Sequence, residues 1–276
     1  MHVVSSKEEL YEFINLYQNE KKKITLIPTM GNLHEGHIKL IKRSPLKSIK
    51  LVTIYVNKLQ FDNNNDYINY PRTLDNDIDE CKKSDVDLVF IPDSNFSNNL
   101  EKYNDIKLPE FTNYMCGKTR NGHFIGVYKI VRNFFNMIKP HYACFGMKDY
   151  QQLLLIKHIA IKYFQNLKII DVDTVRDNNN IALSSRLKRI PPHMMINVEE
   201  IYNTLYKFKS DLLKGDKYSE TYQIFINKLE SSNIEVEYLE HRMNDSLELA
   251  NNNIENSSLF IACKIDKVRL IDNIQI

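Results

Sequence analysis

The chain has 276 residues, 37 Lys and Arg against 35 Asp and Glu, and 43% hydrophobic residues. This length predicts about two domains, and the balanced charge argues against both a disordered chain and a dedicated nucleic-acid binder, which shows a strong basic excess. No apolar run approaches the roughly 18 residues that span a bilayer, so no membrane partner is expected. The opening MHVVSSKEEL has neither the basic nor the apolar region of a secretory signal. Cys81, Cys116, Cys144 and Cys263 are too far apart in sequence for a disulfide framework or a zinc site. A cytoplasmic protein with reduced thiols is the expectation.

In chain order, Ser6-Lys7-Glu8-Glu9 is a capping box that opens an amphipathic helix with Leu10, Phe13, Ile14 and Tyr17 on one face. Ile24 to Ile27 is a short buried strand stopped by Pro28, and Gly36 to Ile41 is a helix. Leu51 to Val56 is a second strand, Thr73 to Lys83 a helix, and Val86 to Ile91 a third strand. Gly126 to Ile138 is helical, Tyr142 to Phe145 a strand, Tyr150 to Tyr163 a helix, and Lys168 to Val172 a strand. Strands alternating with helices predict βαβ units, here an α/β fold with a Rossmann-like, doubly wound parallel sheet over residues 1–176. Beyond it, helices at Val198 to Leu213 and Tyr218 to Leu229 and strands at Ile234 to Glu240 and Leu259 to Ile265 predict a smaller, lid-like α+β domain over 177–276.

Glycine is scarce, 7 residues in all, where average usage would give about 19. Gly31, Gly36, Gly122, Gly126 and Gly146 nevertheless fall in the chemically dense segments, whereas Gly117 and Gly215 do not. The sharpest segment is Pro28-Thr29-Met30-Gly31-Asn32-Leu33-His34-Glu35-Gly36-His37, between a strand and a helix. Its H-x-G-H unit places two imidazoles at a helix N-terminus, where backbone N–H groups and the helix dipole already favour a phosphate. Gly36 would leave room for the phosphates to approach. Phe145-Gly146-Met147-Lys148-Asp149-Tyr150-Gln151-Gln152 is a second strand–glycine–helix junction, with Lys148 set against the dipole's preference. Leu183-Ser184-Ser185-Arg186 offers two hydroxyls and a guanidinium, and Asn57-Lys58-Leu59-Gln60-Phe61 and Arg120-Asn121-Gly122-His123 are further polar turns. Asp75, Asp77 and Asp79 read as a solvated acidic helix face rather than a metal site, and no protein metal ligand is assigned. These residues together suit electrostatic stabilisation at a phosphorus centre.

The order and spacing of PTMGNLHEGH, NKLQF, YPRTLDND, RNGHFIGV, FGMKDYQQL and VRD…IALSSR resemble the pantothenate synthetase (pantoate–β-alanine ligase) family from about Ile24 to Arg186. The resemblance implies that ATP and (R)-pantoate form pantoyl adenylate and pyrophosphate, after which β-alanine gives pantothenate and AMP. It implies an ATP site from Met30, Gly31, Asn32, Leu33, His34, Glu35, Gly36 and His37, with His37 in a proton-donor role and His34 on the phosphates. Gly146, Met147, Lys148 and Asp149 would flank the nucleotide, with Lys148 on the phosphates. Val175 would meet the adenine, and Leu183, Ser184, Ser185 and Arg186 would complete the site. Gln60 and Gln152, with Arg120 and His123 nearby, would hold pantoate, and Gln60 would also serve β-alanine. A homodimer and Mg²⁺ travelling with ATP are implied as well. Departures from the family pattern stand at Lys58, Asn76, Met147, Asn180-Ile181 and Leu187. The residues alone leave open a different nucleotidyltransferase on the same sheet, or a nucleotide-binding protein without catalysis.

Overall fold

A computed structural model describes residues 1–93, 96–100, 103 and 106–276. Strand β1 (His2–Val4) leads into helix α1 (Lys7–Asn19), which opens on the Ser6–Glu9 capping box as expected. Then follow β2 (Ile24–Thr29), α2 (Glu35–Lys42), β3 (Ile49–Ile54), α3 (Asn64–Ile68), α4 (Leu74–Lys83) and β4 (Leu88–Phe90). Next come α5 (Met115–Thr119), α6 (His123–Ile138), β5 (Tyr142–Gly146), α7 (Tyr150–Tyr163) and β6 (Lys168–Val172). The six strands form one parallel sheet in the order β1-β4-β3-β2-β5-β6.

Side chains alternate across that sheet because successive residues of a strand point to opposite faces. Leu26, Leu51, Phe90 and Phe145 pack with α1, α6 and α7 on one face. Ile27, Val52, Val89 and Cys144 pack with α2 and α4 on the other. The chain winds outward from β2 in one direction through β3 and β4, then returns to place β5 and β6 on its other side. The junction between β2 and β5 is therefore the switch point, beyond whose carboxyl ends ligands of such sheets bind. Both strongest sequence segments, 30–37 after β2 and 146–152 after β5, start there.

The C-terminal part contains α8 (Met195–Leu213), α9 (Tyr218–Ser231) and an antiparallel sheet of β7 (Glu235–Met243), β8 (Ser257–Ile265) and β9 (Val268–Gln275). One sheet face packs on α8 and α9. On the other, Phe260 meets Tyr150 at 5.6 Å between ring centres, with Met115 and Leu247 in the same small core. Arg176 grips Asp272 of β9 through two nitrogens, at 2.7 and 2.9 Å. The α/β class with a parallel sheet and a smaller α+β unit is the one expected. Several details differ: β1, β9 and the short helices α3 and α5 are not expected from the sequence, β2 runs through Pro28 to Thr29 with Pro28 opposite Thr53, β3 spans Ile49–Ile54, β7 continues to Met243, α8 begins three residues earlier, and α6 begins at His123 because Gly122, at φ 77°, turns the chain into the helix. Among the described residues no helix is long and apolar enough to cross a membrane.

Candidate active site

The turn after β2 is held from behind. Gly31 (φ 77°) and Asn32 (φ 49°) take the left-handed conformation that glycine and asparagine tolerate best. This points the backbone N–H groups of Asn32 and Leu33 at Asp77, whose two carboxylate oxygens accept them at 2.9 and 2.8 Å. Asp77 is 1% exposed, so the reading of 75–79 as a uniformly solvated face is corrected at that position. Successive helical residues diverge by about 100°, so Asp75 and Asp79 do point to solvent while Asp77 does not. Asn32 itself is buried, with its amide donating to the Ser185 carbonyl at 3.2 Å and its side-chain oxygen accepting from Lys188 at 2.8 Å.

Beyond that clamp, two histidines cap α2. His34 Nδ1 accepts the Gly36 N–H at 3.1 Å, and His37 Nδ1 accepts the His34 N–H at 3.3 Å. A backbone N–H can only donate, so both Nδ1 atoms are bare and each ring's proton sits on Nε2. The rings lie 4.2 Å apart. Burial and then the Lys148 charge push His34 down to about 4, and burial, His34 and Lys148 push His37 down to about 3. At neutral pH these are neutral imidazoles that donate through Nε2. The glycine between them also makes room for the cap, since a Cβ on Gly36 would lie 2.8 Å from the His34 ring.

Gln60 is fixed from three sides. Asn57 donates to its side-chain oxygen at 3.2 Å and to the Gly126 carbonyl at 3.1 Å, while Gln60 Nε2 lies 2.9 Å from Met30 Sδ. Gly126 lets α6 touch this turn, since a Cβ there would sit 2.2 Å from the Leu59 carbonyl oxygen. Arg120 and His123 both close on the Gln60 carbonyl, at 3.2 and 2.7 Å, and on each other at 3.1 Å. Burial, then the Arg120 charge, push His123 down to about 3. Its Nδ1–H donates to that carbonyl and its bare Nε2 accepts from Arg120, the opposite tautomer from His34 and His37. Gln151 is equally committed, joining the Cys116 N–H to the Phe111 and Tyr114 carbonyls, which leaves Gln152 to face the open space.

All of this surrounds one cleft of about 240 Å³ at the β2/β5 switch point. Of the expected residues, Met30, His34, Gly36 and His37 line it from the first turn, and Gly146, Lys148, Asp149 and Gln152 from the second. Val175 and Leu183, Ser184, Ser185 and Arg186 line a third side, and Gln60, Arg120 and His123 a fourth. Gly31, Asn32, Leu33, Glu35 and Met147 do not line it; Gly31, Asn32 and Leu33 instead shape the first turn. Arg186 is paired with Asp66 of α3 at 2.8 Å, and Arg189 with the same carboxylate at 2.5 Å. Burial works to raise Asp66, but hydrogen bonds and charge from the two arginines hold it below the usual carboxylate range. Val127, Ile130, Val131 and Phe134 of α6 give the cleft an apolar wall. Sequence reasoning missed Asn57, Asp66 and Asp77. The shared face of Asp77 and Cys81, four residues apart, was the available signal for the last.

The profile of the pantoate-beta-alanine ligase family matches residues 2–275. This chain belongs to the pantoate-beta-alanine ligase family. It is 35% identical over 287 aligned positions to the pantothenate synthetase of Wigglesworthia glossinidia brevipalpis, covering 100% of this chain and 99% of that relative. It is 34% identical to that of Neisseria meningitidis serogroup C, again covering 100% and 99%. The crystal structure of the Thermus thermophilus pantothenate synthetase superposes with a TM-score of 0.91 at 28% identity, over 100% of this chain and 99% of that one. The Francisella tularensis pantoate-beta-alanine ligase, solved with beta-gamma ATP and beta-alanine, superposes with a TM-score of 0.82 at 32% identity, covering 100% and 97%. A ligase of this family brings a carboxylate against a polyphosphate, and the cleft is lined by lysine, arginine, imidazole and amide groups together with an apolar wall.

Proposed function

We propose that this chain joins (R)-pantoate to β-alanine through pantoyl adenylate within the cleft just described. The observation that carries the reading is the convergence of His34, His37, Lys148 and Arg186 with Gln60 and Gln152 around one space at the sheet's switch point. The pantoate carboxylate attacks the α-phosphorus of ATP and pyrophosphate leaves. The amine of β-alanine then attacks the acyl carbon, giving pantothenate and releasing AMP.

A carboxylate is a weak nucleophile that must approach a polyanion, so the barrier is largely electrostatic. Lys148 and Arg186 lower it through their charge. His34 and His37 contribute directed N–H donors, each rigid because its other nitrogen is committed to backbone. Loss of one such donor costs about 10²–10³ in turnover. His37 acts as a hydrogen-bond donor in its neutral form, the form that burial and neighbouring charge enforce. Gly146, Asp149, Val175, Leu183, Ser184 and Ser185 surround the nucleotide. Gln60 and Gln152 bind the polar groups of pantoate while Val127, Ile130, Val131 and Phe134 take its methyl groups, and Gln60 also receives β-alanine. Arg120 and His123 act on the same pocket through the Gln60 backbone they hold.

Mg²⁺ fits as a companion of the triphosphate. Among the described residues no three His, Cys, Asp or Glu groups form a cation cage, and Asp149 and Asp173 line the cleft where an ion carried by phosphates keeps its waters. Bound there, the ion would neutralise phosphate charge. We place the enzyme in the cytoplasm as a homodimer, which sedimentation at micromolar concentration tests. We also assign residues 1–176 to catalysis and 177–276 to a lid hinged near 176–186, so ATP with pantoate should protect that segment from limited proteolysis. Unchanged cleavage there removes the lid.

Pyrophosphate release measured with each substrate in turn tests the main reading. Release should require pantoate as well as ATP, and an amide product should appear only with β-alanine. Release from ATP alone, or no amide with all three substrates, refutes it.

A further inference from the structure

The C-terminal sheet touches the turn that carries Lys148. Asn273 of β9 points its side-chain amide at the turn that carries Lys148, with Nδ2 lying 3.0 Å from the Met147 carbonyl and 2.9 Å from the Lys148 carbonyl. Carbonyls only accept, so the atom facing both is the amide nitrogen, with one hydrogen for each. The tip of β9 is itself held. The neighbouring Asp272 is buried and gripped by both terminal nitrogens of Arg176, which also donates to the Asn273 carbonyl at 3.1 Å. Arg176 lies at the expected hinge, and its guanidinium stacks on Tyr202 of α8 at 4.4 Å. The turn at Met147–Asp149 lacks any side-chain cap of its own. Its two carbonyls are thus held from a different part of the chain, more than a hundred residues away.

We infer that Asn273 is a positioning residue for Lys148, by which the C-terminal unit sets the lysine at the phosphates. The inference rests on the phosphate role of Lys148 proposed above. It assigns the C-terminal third, which shows no chemistry of its own in sequence, a direct part in turnover. Asn273 touches no reacting atom. It restricts the backbone from which the Lys148 side chain departs, and displacement of such a group by about 1 Å costs up to a hundredfold in rate.

The test is a double-mutant cycle on pyrophosphate release, with rates normalised to the burst amplitude so that only folded, competent sites count. Asn273→Ala should lower turnover about tenfold to a hundredfold and raise the KM for ATP, leaving the KM for pantoate within about twofold. Asn273→Asp, an acceptor facing two acceptors, should lose more at neutral pH. In a Lys148→Ala background Asn273→Ala should cost less than about twofold, because the group it positions is gone. An equal loss in both backgrounds, or parental turnover in Asn273→Ala while Lys148→Ala is impaired, overturns the inference alone. Parental turnover in Lys148→Ala overturns the role of Lys148, and the inference falls with it.

Discussion

Asp77 offers the most direct test of how the nucleotide turn is built. Its carboxylate accepts two backbone N–H groups, from Asn32 and Leu33, and the Thr73 hydroxyl lies 3.1 Å from Oδ1. Asp77→Asn keeps the shape but replaces one oxygen by an NH₂ that meets another N–H. One charge-assisted bond, worth about 1.5–3 kcal/mol, is lost, and a buried donor is left without a partner at a partly overlapping cost of about 1–3 kcal/mol. We expect a net loss of about 3 kcal/mol, or roughly 6 °C in melting temperature for a chain of this size. His34 directly follows Leu33, so the imidazoles move with the turn and turnover should fall at least tenfold, by the same sensitivity to about 1 Å displacements. The assay is thermal melting followed by circular dichroism, with pyrophosphate release on the same samples. Asp75→Asn and Asp79→Asn, exposed on the same helix, serve as controls and should stay within about 0.5 kcal/mol of the parent. An Asp77→Asn enzyme that melts and turns over like its parent would refute the clamp.

Stability should also depend on pH through the buried His123 and the half-buried His34 and His37. His34 at about 4, and His37 and His123 at about 3, resist protons that an unfolded histidine binds near 6.5, so their contribution is complete above about pH 6.5 and is lost as pH falls toward those values. For buried His123 the slope is at most about 1.4 kcal/mol per pH unit; urea midpoints from pH 7.5 to 4.5 measure it, and a profile no flatter in His123→Gln contradicts the assignment. Gly126→Ala forces a methyl to within 2.2 Å of the Leu59 carbonyl and must push α6 from the Gln60 turn. Its KM for pantoate should rise more than tenfold over that for ATP, and equal rises would argue against separate pockets. Gly117→Ala should be worse still for folding, with its Cβ only 1.6 Å from the Thr112 carbonyl oxygen, and soluble expression at parental level would refute that.

Much of the site was legible because its parts are local. A strand, a glycine turn and a helix start lie within ten residues of one another, and the spacing of His34, Gly36 and His37 reflects a cap closed inside one helical turn. What escaped depends on distant partners. Arg186 and Asp66 meet across 120 positions, and Asn273 and Lys148 across 125; a single sequence carries no sign of either pairing. Gly117 looked idle for a different reason: its partner Thr112 is only five residues away, but the tight fold of that segment, which brings the two together, has no sequence signature. Strand β9 was missed although Val268, Leu270 and Asp272 alternate inward, because the third of these is an aspartate that needs Arg176 before it can be buried.

The histidines show most clearly what geometry adds to a motif. Two imidazoles at a helix start suggest positive charge aimed at phosphate, yet both are held neutral by burial and by the lysine beside them. On the function proposed above, the site therefore divides its work. Charge comes from Lys148 and Arg186, whose side chains are long and need outside anchors, Asn273 for the turn of one and Asp66 for the guanidinium of the other. Direction comes from His34 and His37, whose short side chains are fixed by the backbone itself. His123, with its proton on the other nitrogen, serves neither purpose and stabilises the Gln60 turn instead. Three histidines of one pocket thus take two tautomers, and in each ring the choice is set by whether a backbone N–H or a backbone carbonyl faces Nδ1.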